Sequence, residues 1–173
     1  MEINQWTVVI ALMSVIITMW AVLRQTWDTH ISLGTQILRD LENQFISTGS
    51  KKQCSKLARQ YSKLRKGKLL PPSIFSEYSN VFDFFETIGI LLRRRVLDIE
   101  LVDSSFYYWF APLWELAEPD IKAWRNKHDD NSYWEDCSYL YDQLVRYDAR
   151  KRKIPVRKMS HAELDNFLKE ISE

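Results

Sequence analysis

The longest apolar segment of the chain lies near its N-terminal end. No charged residue occurs from Ile3 to Leu23, and most residues of this run are apolar. As a helix that rises about 1.5 Å per residue, the run would span about 31 Å, which matches the hydrocarbon core of one bilayer. Trp6 and Trp20 lie near its two ends, where aromatic residues favour the membrane interface. The run therefore predicts a transmembrane helix, and a buried core helix is the alternative.

A cleaved signal peptide fits this run poorly. The segment "MEINQ" carries no Lys or Arg, and "AVLRQ" offers no small-residue cleavage site, so we expect an uncleaved anchor. Arg24, Arg39 and a dense basic block follow the run, and the positive-inside rule then places the C-terminal part in the cytoplasm. The predicted location is the inner (cytoplasmic) membrane, crossed once, with the N-terminus outside and the C-terminal domain cytoplasmic.

A second apolar pattern follows the run at helical spacing. Its members recur at intervals of three and four residues, which predicts that the helix continues beyond the membrane. They are Trp27, Ile31, Gly34, Leu38, Leu41 and Phe45. The pattern covers fewer than three heptads and includes a glycine, so two interpretations stay open. The helix lies on its own domain, or it is a stalk that pairs with a second copy of the chain.

Helical periodicity also describes the rest of the chain. Over residues 81–92 the apolar side chains except Ile90 fall on one half of a helical wheel, and Asp83 and Glu86 fall on the other half. Later segments begin with residue types that cap helices, at Asp98, Ser132 and Ser160. Pro112 is expected to kink a helix and Pro119 to start another. With no convincing strand pattern, the predicted fold is all-α: an N-terminal transmembrane helix that continues into a stalk, followed by a cytoplasmic helical bundle.

Breaks in the pattern predict four parts of the chain. Gly49 suits a helix stop, and two consecutive prolines at 71–72 cannot continue a helix. The predicted parts are a transmembrane anchor at 1–24, a juxtamembrane helix or stalk at 25–49, a helical bundle domain at 50–149, and a basic linker with a C-terminal amphipathic helix at 150–173.

A cluster of basic residues follows Gly49. Eight Lys or Arg occur between Lys51 and Lys68, and no acidic residue occurs between Glu42 and Glu77. Its candidate binding residues are Lys51, Lys52, Lys56, Arg59, Lys63, Arg65 and Lys66. Three interpretations stay open: a solvated helix face, a surface on anionic phospholipid close to the span, or, ranked last, a site for nucleic acid or a nucleotide. The net charge of +1 disfavours a general nucleic-acid binder.

Carboxylates among phenylalanines in "NVFDFFETIGILLRRR" raise the question of a catalytic acid pair. The wheel puts Asp83 and Glu86 on the polar face, and the arginines fall in the last helical turn, where cations complement the helix dipole. Catalytic carboxylates need a cleft and a partner that shifts their pKa, and nothing in this pattern requires one. We expect architecture here, with Glu86, Arg93 and Arg94 as candidates for an ion pair between helices.

The stretches "FDFFETIGILLRRRVLDIELV" and "FYYWFAPLWEL" resemble a family of short bacterial proteins of unknown function. Members of this family often have an N-terminal membrane segment followed by a helical domain, and the likeness covers about residues 35–146. The resemblance implies the same architecture for this chain. It implies no active site, because the family has no assigned function.

The remaining chemistry excludes several function classes. Two distant cysteines form no disulfide framework, and no zinc, Walker, dinucleotide or nucleophile-elbow motif is present. We therefore expect no enzymatic activity, no cofactor and no metal. The expected function is a membrane-anchored, non-enzymatic cytoplasmic module for interaction or regulation. Its expected partners are the lipid bilayer with its anionic phospholipid, an unknown protein and a second copy of the chain. The alternative is an oligomerising membrane effector gated by a ligand or an intracellular signal, as in bacterial stress or phage defence.

Overall fold

The computed structural model describes residues 5–64, 70–71 and 76–172. Within these ranges six helices have defined bounds and no residue lies in a strand. The helices are α1 (Gln5–Ser47), α2 (Ser50–Lys63), α3 (Ser79–Arg93), α4 (Ile99–His128), α5 (Glu135–Arg152) and α6 (His161–Ser172). The predicted all-α fold is confirmed.

Helix α1 joins the apolar run to the bundle without a break. It has 43 residues, which correspond to about 65 Å of helix. Its most apolar window is long enough to cross a membrane, and none of that window is buried against the rest of the protein. The second apolar pattern divides at Gly34. Trp27 and Ile31 are exposed, whereas Gly34 and the apolar residues after it in the pattern are buried in the chain's own bundle.

Helices α1 and α4 run side by side in the same direction. The carbonyl oxygen of Val96, just before α4, lies 2.8 Å from the position that a Cβ at Gly34 would take. About two turns further along α1, Ser105 Oγ donates to Glu42 Oε1 at 2.5 Å. Both helices therefore lead away from the apolar run. We call the end of the bundle near Gly34 and Val96 the proximal end, and the end near the C-terminal half of α4 the distal end.

Helices α3 and α5 pack tightly against each other and run antiparallel to α4. A Cβ at Gly89 of α3 would lie 2.2 Å from the carbonyl oxygen of Asp136 in α5, so only glycine permits this approach. Tyr141 of α5 bonds to Glu115 of α4, and ten residues later Lys151 bonds to Asp103 at 3.1 Å. From Tyr141 to Lys151, α5 therefore runs in the direction opposite to α4, while its first turn contacts Arg93 at the end of α3.

Aromatic side chains fill the centre where α1, α3 and α4 meet. Phe85 is fully buried, and its ring centroid lies 4.6 Å from that of Phe110 and 6.3 Å from that of Phe106. Phe45 brings α1 into the same cluster, 5.3 Å from Phe84. Burial of a phenylalanine side chain contributes roughly 1.5–3 kcal/mol, so this cluster fixes how α1 sits on the bundle.

Four expectations about helix ends have different outcomes. Asp98 caps α4 as predicted, accepting a bond from the Glu100 amide at 2.8 Å. Ser160 forms its predicted capping box with Glu163, with the Ser160 amide donating at 2.6 Å. The box expected at Ser132 is not formed, because Ser132 bonds to Asp130 and α5 begins only at Glu135. Two helices were expected around Pro119, but α4 runs through both Pro112 and Pro119 as one helix.

The C-terminal segment folds back onto the bundle. After α5, residues 153–160 form an exposed connection, and the Met159 amide donates to Glu115 of α4 at 2.7 Å. Helix α6 then buries Phe167 and Ile171 against the core. Arg59 of α2 donates to the Ile171 carbonyl at 3.4 Å, which adds a polar contact between α2 and α6.

Candidate functional site

Helix α2 forms because one side of it is apolar, and a turn at Gly49 separates it from α1. Gly49 adopts a left-handed conformation with φ of 76°, which glycine reaches at little cost. The buried side of α2 consists of Cys54, Leu57, Ala58 and Tyr61, at the spacing of one helical stripe. The opposite side of the helix is therefore left to solvent.

Four cations share that solvent side. At 100° per residue Lys52, Lys56, Arg59 and Lys63 fall within about 60° of one another, directly opposite the buried stripe. All four are exposed. We call this set the cationic face. Residues 50–63 include no acidic side chain, so no carboxylate within α2 neutralises it.

The other predicted residues of this cluster lie elsewhere. Lys51 projects sideways, and its Nζ lies 5.1 Å from the ring centroid of Trp109 in a cation–π contact. Arg59 belongs to the cationic face and also contacts α6 through the Ile171 carbonyl. Arg65 and Lys66 lie outside the described residues. The structure thus brings four of the seven predicted residues together on one surface.

The direction of α2 determines how far the cationic face lies from the apolar run. Lys51 is level with Trp109, and ten residues later Tyr61 donates to Asp120 at 2.8 Å. Because Asp120 lies further along α4 than Trp109, α2 runs towards the distal end. Arg24 and Ser47 are separated by 23 residues of unbroken helix, or about 35 Å. The cationic face therefore begins about 35 Å from the end of the apolar run and continues away from it.

A buried carboxylate fixes the end of α2. Asp120 is only 6% exposed, and its carboxylate accepts from the Tyr61 hydroxyl at 2.8 Å and from the Leu70 amide at 2.8 Å. Burial raises the pKa of Asp120, while the two donated bonds oppose that rise. The pKa of Tyr61 is also raised, by burial and then by the neighbouring Asp120. This arrangement holds α2, α4 and Leu70 together.

Glu86 and Arg93, predicted as ion-pair candidates, have separate partners. Glu86 accepts from the backbone amides of Asp136 and Cys137, at 3.1 and 2.6 Å, and so caps the first turn of α5. Arg93 pairs with Glu135 at 3.2 Å and with Asp136 at 2.6 Å. The two candidates therefore do not pair with each other: Arg93 forms ion pairs with α5, whereas Glu86 acts as a helix cap.

Two further contacts were not foreseen from the sequence. Asp83 accepts from the indole Nε1 of Trp134 at 2.9 Å, and Cys137 Sγ donates to the Phe82 carbonyl at 3.2 Å. Both join α3 to the start of α5, across about 50 residues of sequence. The sequence indicated only that Asp83 lies on the polar side of the helical wheel. A wheel does not identify the residue on another helix that bonds to it.

Two observations concern metal binding and thiol chemistry in the part of the chain that the structure describes. No group of three or more His, Cys, Asp or Glu side chains in the described ranges is arranged to hold a metal ion. Burial raises the pKa of the Cys54 thiol to about 12 and that of Cys137 well above its ordinary value, which disfavours the nucleophilic thiolate.

A cleft of about 330 Å³ lies between α4, α5 and the C-terminal segment. Aromatic side chains and two arginines contribute to its walls. Arg152 pairs with Asp148 at 2.7 Å and Arg157 with Glu163 at 2.7 Å, so both guanidinium groups are already neutralised. The cationic face of α2 is a stronger candidate surface than this cleft, because Lys52, Lys56 and Lys63 form no ion pair with the residues that the structure describes.

Comparison of the sequence with known proteins and protein families identifies one matching family. No match was found among curated proteins or among solved structures. The model of a family described as a domain of unknown function, DUF4760, matches residues 5–144. The match includes α1 to α4 and part of α5, and it stops before the connection to α6. Because it extends over most of the sequence, the chain belongs to the DUF4760 family.

Proposed function

We propose that this protein is a membrane-anchored, non-enzymatic interaction module, whose cationic face on α2 binds an acidic surface of another protein. The main support for this proposal is the position of the cationic face. Its four residues lie on one exposed side of α2, far from the apolar run: Lys52, Lys56, Arg59 and Lys63. The bundle lies in the cytoplasm in this proposal, and α1 crosses the inner membrane once.

The distance of about 35 Å along α1 disfavours lipid as the partner of this face. At physiological ionic strength the Debye length is about 8 Å, so the surface potential of a bilayer is largely screened at that distance. A helix tilt of about 20° would shorten the distance by only about 2 Å. A soluble or membrane-associated protein with a carboxylate-rich surface is free to approach the face from the side.

Charge complementarity supports an acidic partner. Four cations without a neighbouring acid in α2 produce a positive potential that steers an acidic surface during encounter. Arg guanidinium and Lys ammonium groups both bond to carboxylates, but the lysines act as point charges on flexible stems. Binding through such a face is expected to weaken as salt is added.

The binding test uses the full chain in bilayer nanodiscs of neutral lipid, with a polyglutamate peptide as the probe. Loss of three charges in Lys52→Gln, Lys56→Gln and Lys63→Gln should weaken peptide binding at least tenfold. A matched variant with Lys127, Lys153 and Lys169 changed to Gln has the same net charge and should bind like the unchanged chain.

Equal loss in both triple variants would contradict the proposal, because only net charge would then matter. A single-stranded oligonucleotide is included in the same assay. If it bound tightly and saturably while the peptide did not, the site would be one for nucleic acid.

The proposed orientation is tested separately. Reporter fusions at the C-terminus should be active only for a reporter that works in the cytoplasm, because Arg24 and Arg39 flank the span on that side. Activity of a reporter that works only outside the inner membrane would contradict the orientation.

An oligomerising membrane effector is the second candidate. Trp27 and Ile31 are 70% and 53% exposed and lie on one face of α1, between the apolar run and the bundle. The corresponding face of a second α1 would bury them. Photobleaching of single labelled particles in bilayers should show dimers or larger assemblies that Trp27→Ala dissociates, if this candidate is right.

A further inference from the structure

The proximal end of the bundle carries a second group of cations. Arg93 is the last residue of α3 and is paired with the acidic start of α5, and Arg94 and Arg95 follow the helix. Arg94 and Arg95 are exposed, and neither forms an ion pair with the residues that the structure describes. We call residues 93–96 the proximal loop.

Backbone bonds hold the proximal loop in one conformation. The amides of Arg94, Arg95 and Val96 donate to carbonyls of the last turn of α3, at 3.0, 3.0 and 2.9 Å. Arg95 has φ of 58°, a left-handed conformation that glycine adopts more easily than arginine. Backbone geometry alone therefore does not explain why an arginine occupies this position.

The contact between Gly34 and Val96 determines how near the loop lies to the apolar run. Arg24 and Gly34 are ten residues apart on α1, or about 15 Å. The headgroup layer occupies about 5–8 Å beyond the hydrocarbon core. An arginine side chain reaches about 6 Å from its Cα, so a guanidinium group of the loop that extends towards the bilayer can come within a few ångströms of that layer. This gap is smaller than a Debye length of about 8 Å.

The α1 surface above the loop also suits a membrane interface. Trp27 and Ile31 precede Gly34 by seven and three residues, so all three lie on the face of α1 that the loop contacts. Tryptophan favours the interface between hydrocarbon and water. Trp27 therefore lies between the end of the apolar run and the proximal loop, at the depth where headgroups are expected.

We propose that Arg94 and Arg95 bind the headgroups of anionic phospholipids in the leaflet next to the bundle. This inference rests on the proposed membrane anchoring but not on the binding of an acidic protein by α2. The nearby acids Asp98 and Glu100 lower the local positive charge and keep the attraction modest. About 1 kcal/mol per cation near such a surface corresponds to about fivefold in lipid association for each arginine.

The test measures lipid selectivity of the full chain in phosphatidylcholine bilayers. Trace spin-labelled phosphatidylglycerol and spin-labelled phosphatidylcholine compete for the protein surface, and their spectra give a relative association constant. The unchanged chain should favour phosphatidylglycerol, and the preference should fall with added salt. In the double variant Arg94→Gln with Arg95→Gln, the relative association constant for phosphatidylglycerol should fall at least fivefold. Arg24, which flanks the span, should maintain a weaker preference for this lipid.

The double variant Lys52→Gln with Lys56→Gln is the matched control, because it removes the same charge from the cationic face. It should keep the preference for phosphatidylglycerol. Unchanged selectivity in the arginine variant, or an equal loss in the lysine variant, would overturn the inference. Unaltered circular dichroism shows that a variant is folded, and if the arginine variant unfolds, Arg94→Gln alone with the salt series replaces it.

The two proposals fail in different ways. The arginine double variant should still bind polyglutamate, and the lysine variants should still select phosphatidylglycerol. Loss of both properties in both variants would mean that net charge alone governs binding, and neither surface would then be specific.

Discussion

The two ends of the bundle carry similar cations but differ in what surrounds them. At the proximal end, Arg94 and Arg95 lie in a hydrogen-bonded loop whose backbone contacts α1 at Gly34. At the distal end, the cationic face belongs to a helix that leads away from the apolar run. The cationic face follows α1 directly in sequence, yet the loop is nearer to the apolar run in space. Adjacency in sequence is thus a poor guide to distance from the apolar run once a long helix continues into the bundle.

Both ends depend on the central aromatic cluster, so its loss should have the largest effect. Phe85→Ala should lower the free energy of unfolding by about 3–5 kcal/mol, because it removes a fully buried ring between Phe106 and Phe110. Thermal unfolding of the full chain in detergent measures the change. The exposed Thr87→Ala variant on the same helix should change stability by less than about 0.5 kcal/mol. A similar loss in both variants would contradict the assigned core face of α3.

Loss of Asp120 should affect the distal end more than the proximal end. Asp120→Ala leaves the Tyr61 hydroxyl and the Leu70 amide without their acceptor, at a cost of about 2–4 kcal/mol. Hydrogen exchange should accelerate in α2 before it does so in α3. Asp120→Asn keeps one acceptor oxygen and should cost less. Uniform acceleration over the whole bundle would show that this contact does not act on the distal end alone.

A side chain at Gly34 should separate the proximal loop from α1. The Cβ of Gly34→Ala would approach the Val96 carbonyl to 2.8 Å, and relief requires a backbone shift that costs about 1–3 kcal/mol. Thermal unfolding and the phosphatidylglycerol preference should both fall. The neighbouring Thr35→Ala is exposed and serves as the control. If stability and lipid preference equalled those of the unchanged chain, the contact between Gly34 and Val96 would not determine how close the proximal loop lies to the apolar run.

Low pH should destabilise the C-terminal helix α6 through protonation of Glu163, and this effect on stability should be the smallest of those predicted. The Arg157 side chain and then the Ser160 amide lower the pKa of Glu163 to about 2. Since the folded pKa lies below the ordinary value of 4.5, this stabilisation is complete above about pH 4.5 and is lost as pH falls towards 2. Hydrogen exchange in α6 should be faster in Glu163→Gln than in the unchanged chain at pH 6. The two rates should converge near pH 2, and a difference that persists there would refute the role of this carboxylate.

Local signals were readable from the sequence, and contacts between distant helices were not. The apolar run, the cap at Asp98 and the box at Ser160 each depend on residues within a few positions of one another. By contrast, α5 is capped by Glu86 from another helix, so the local box expected at Ser132 was the wrong choice. Gly34 was counted as a weakness in a helical seam, yet its missing side chain admits the Val96 carbonyl. The direction of α2 likewise depends on Asp120, about 60 residues away.

The central claim is that the proximal loop lies next to the bilayer and the cationic face does not. Fluorophores attached at Arg94→Cys and, separately, at Lys56→Cys test it in bilayers that contain nitroxide-labelled headgroups. Cys54 and Cys137 are buried with raised pKa values, so they should stay unlabelled, which the unchanged chain verifies. Strong quenching at position 94 and little at position 56 is the predicted result. Equal quenching at both positions, or stronger quenching at position 56, would contradict the account.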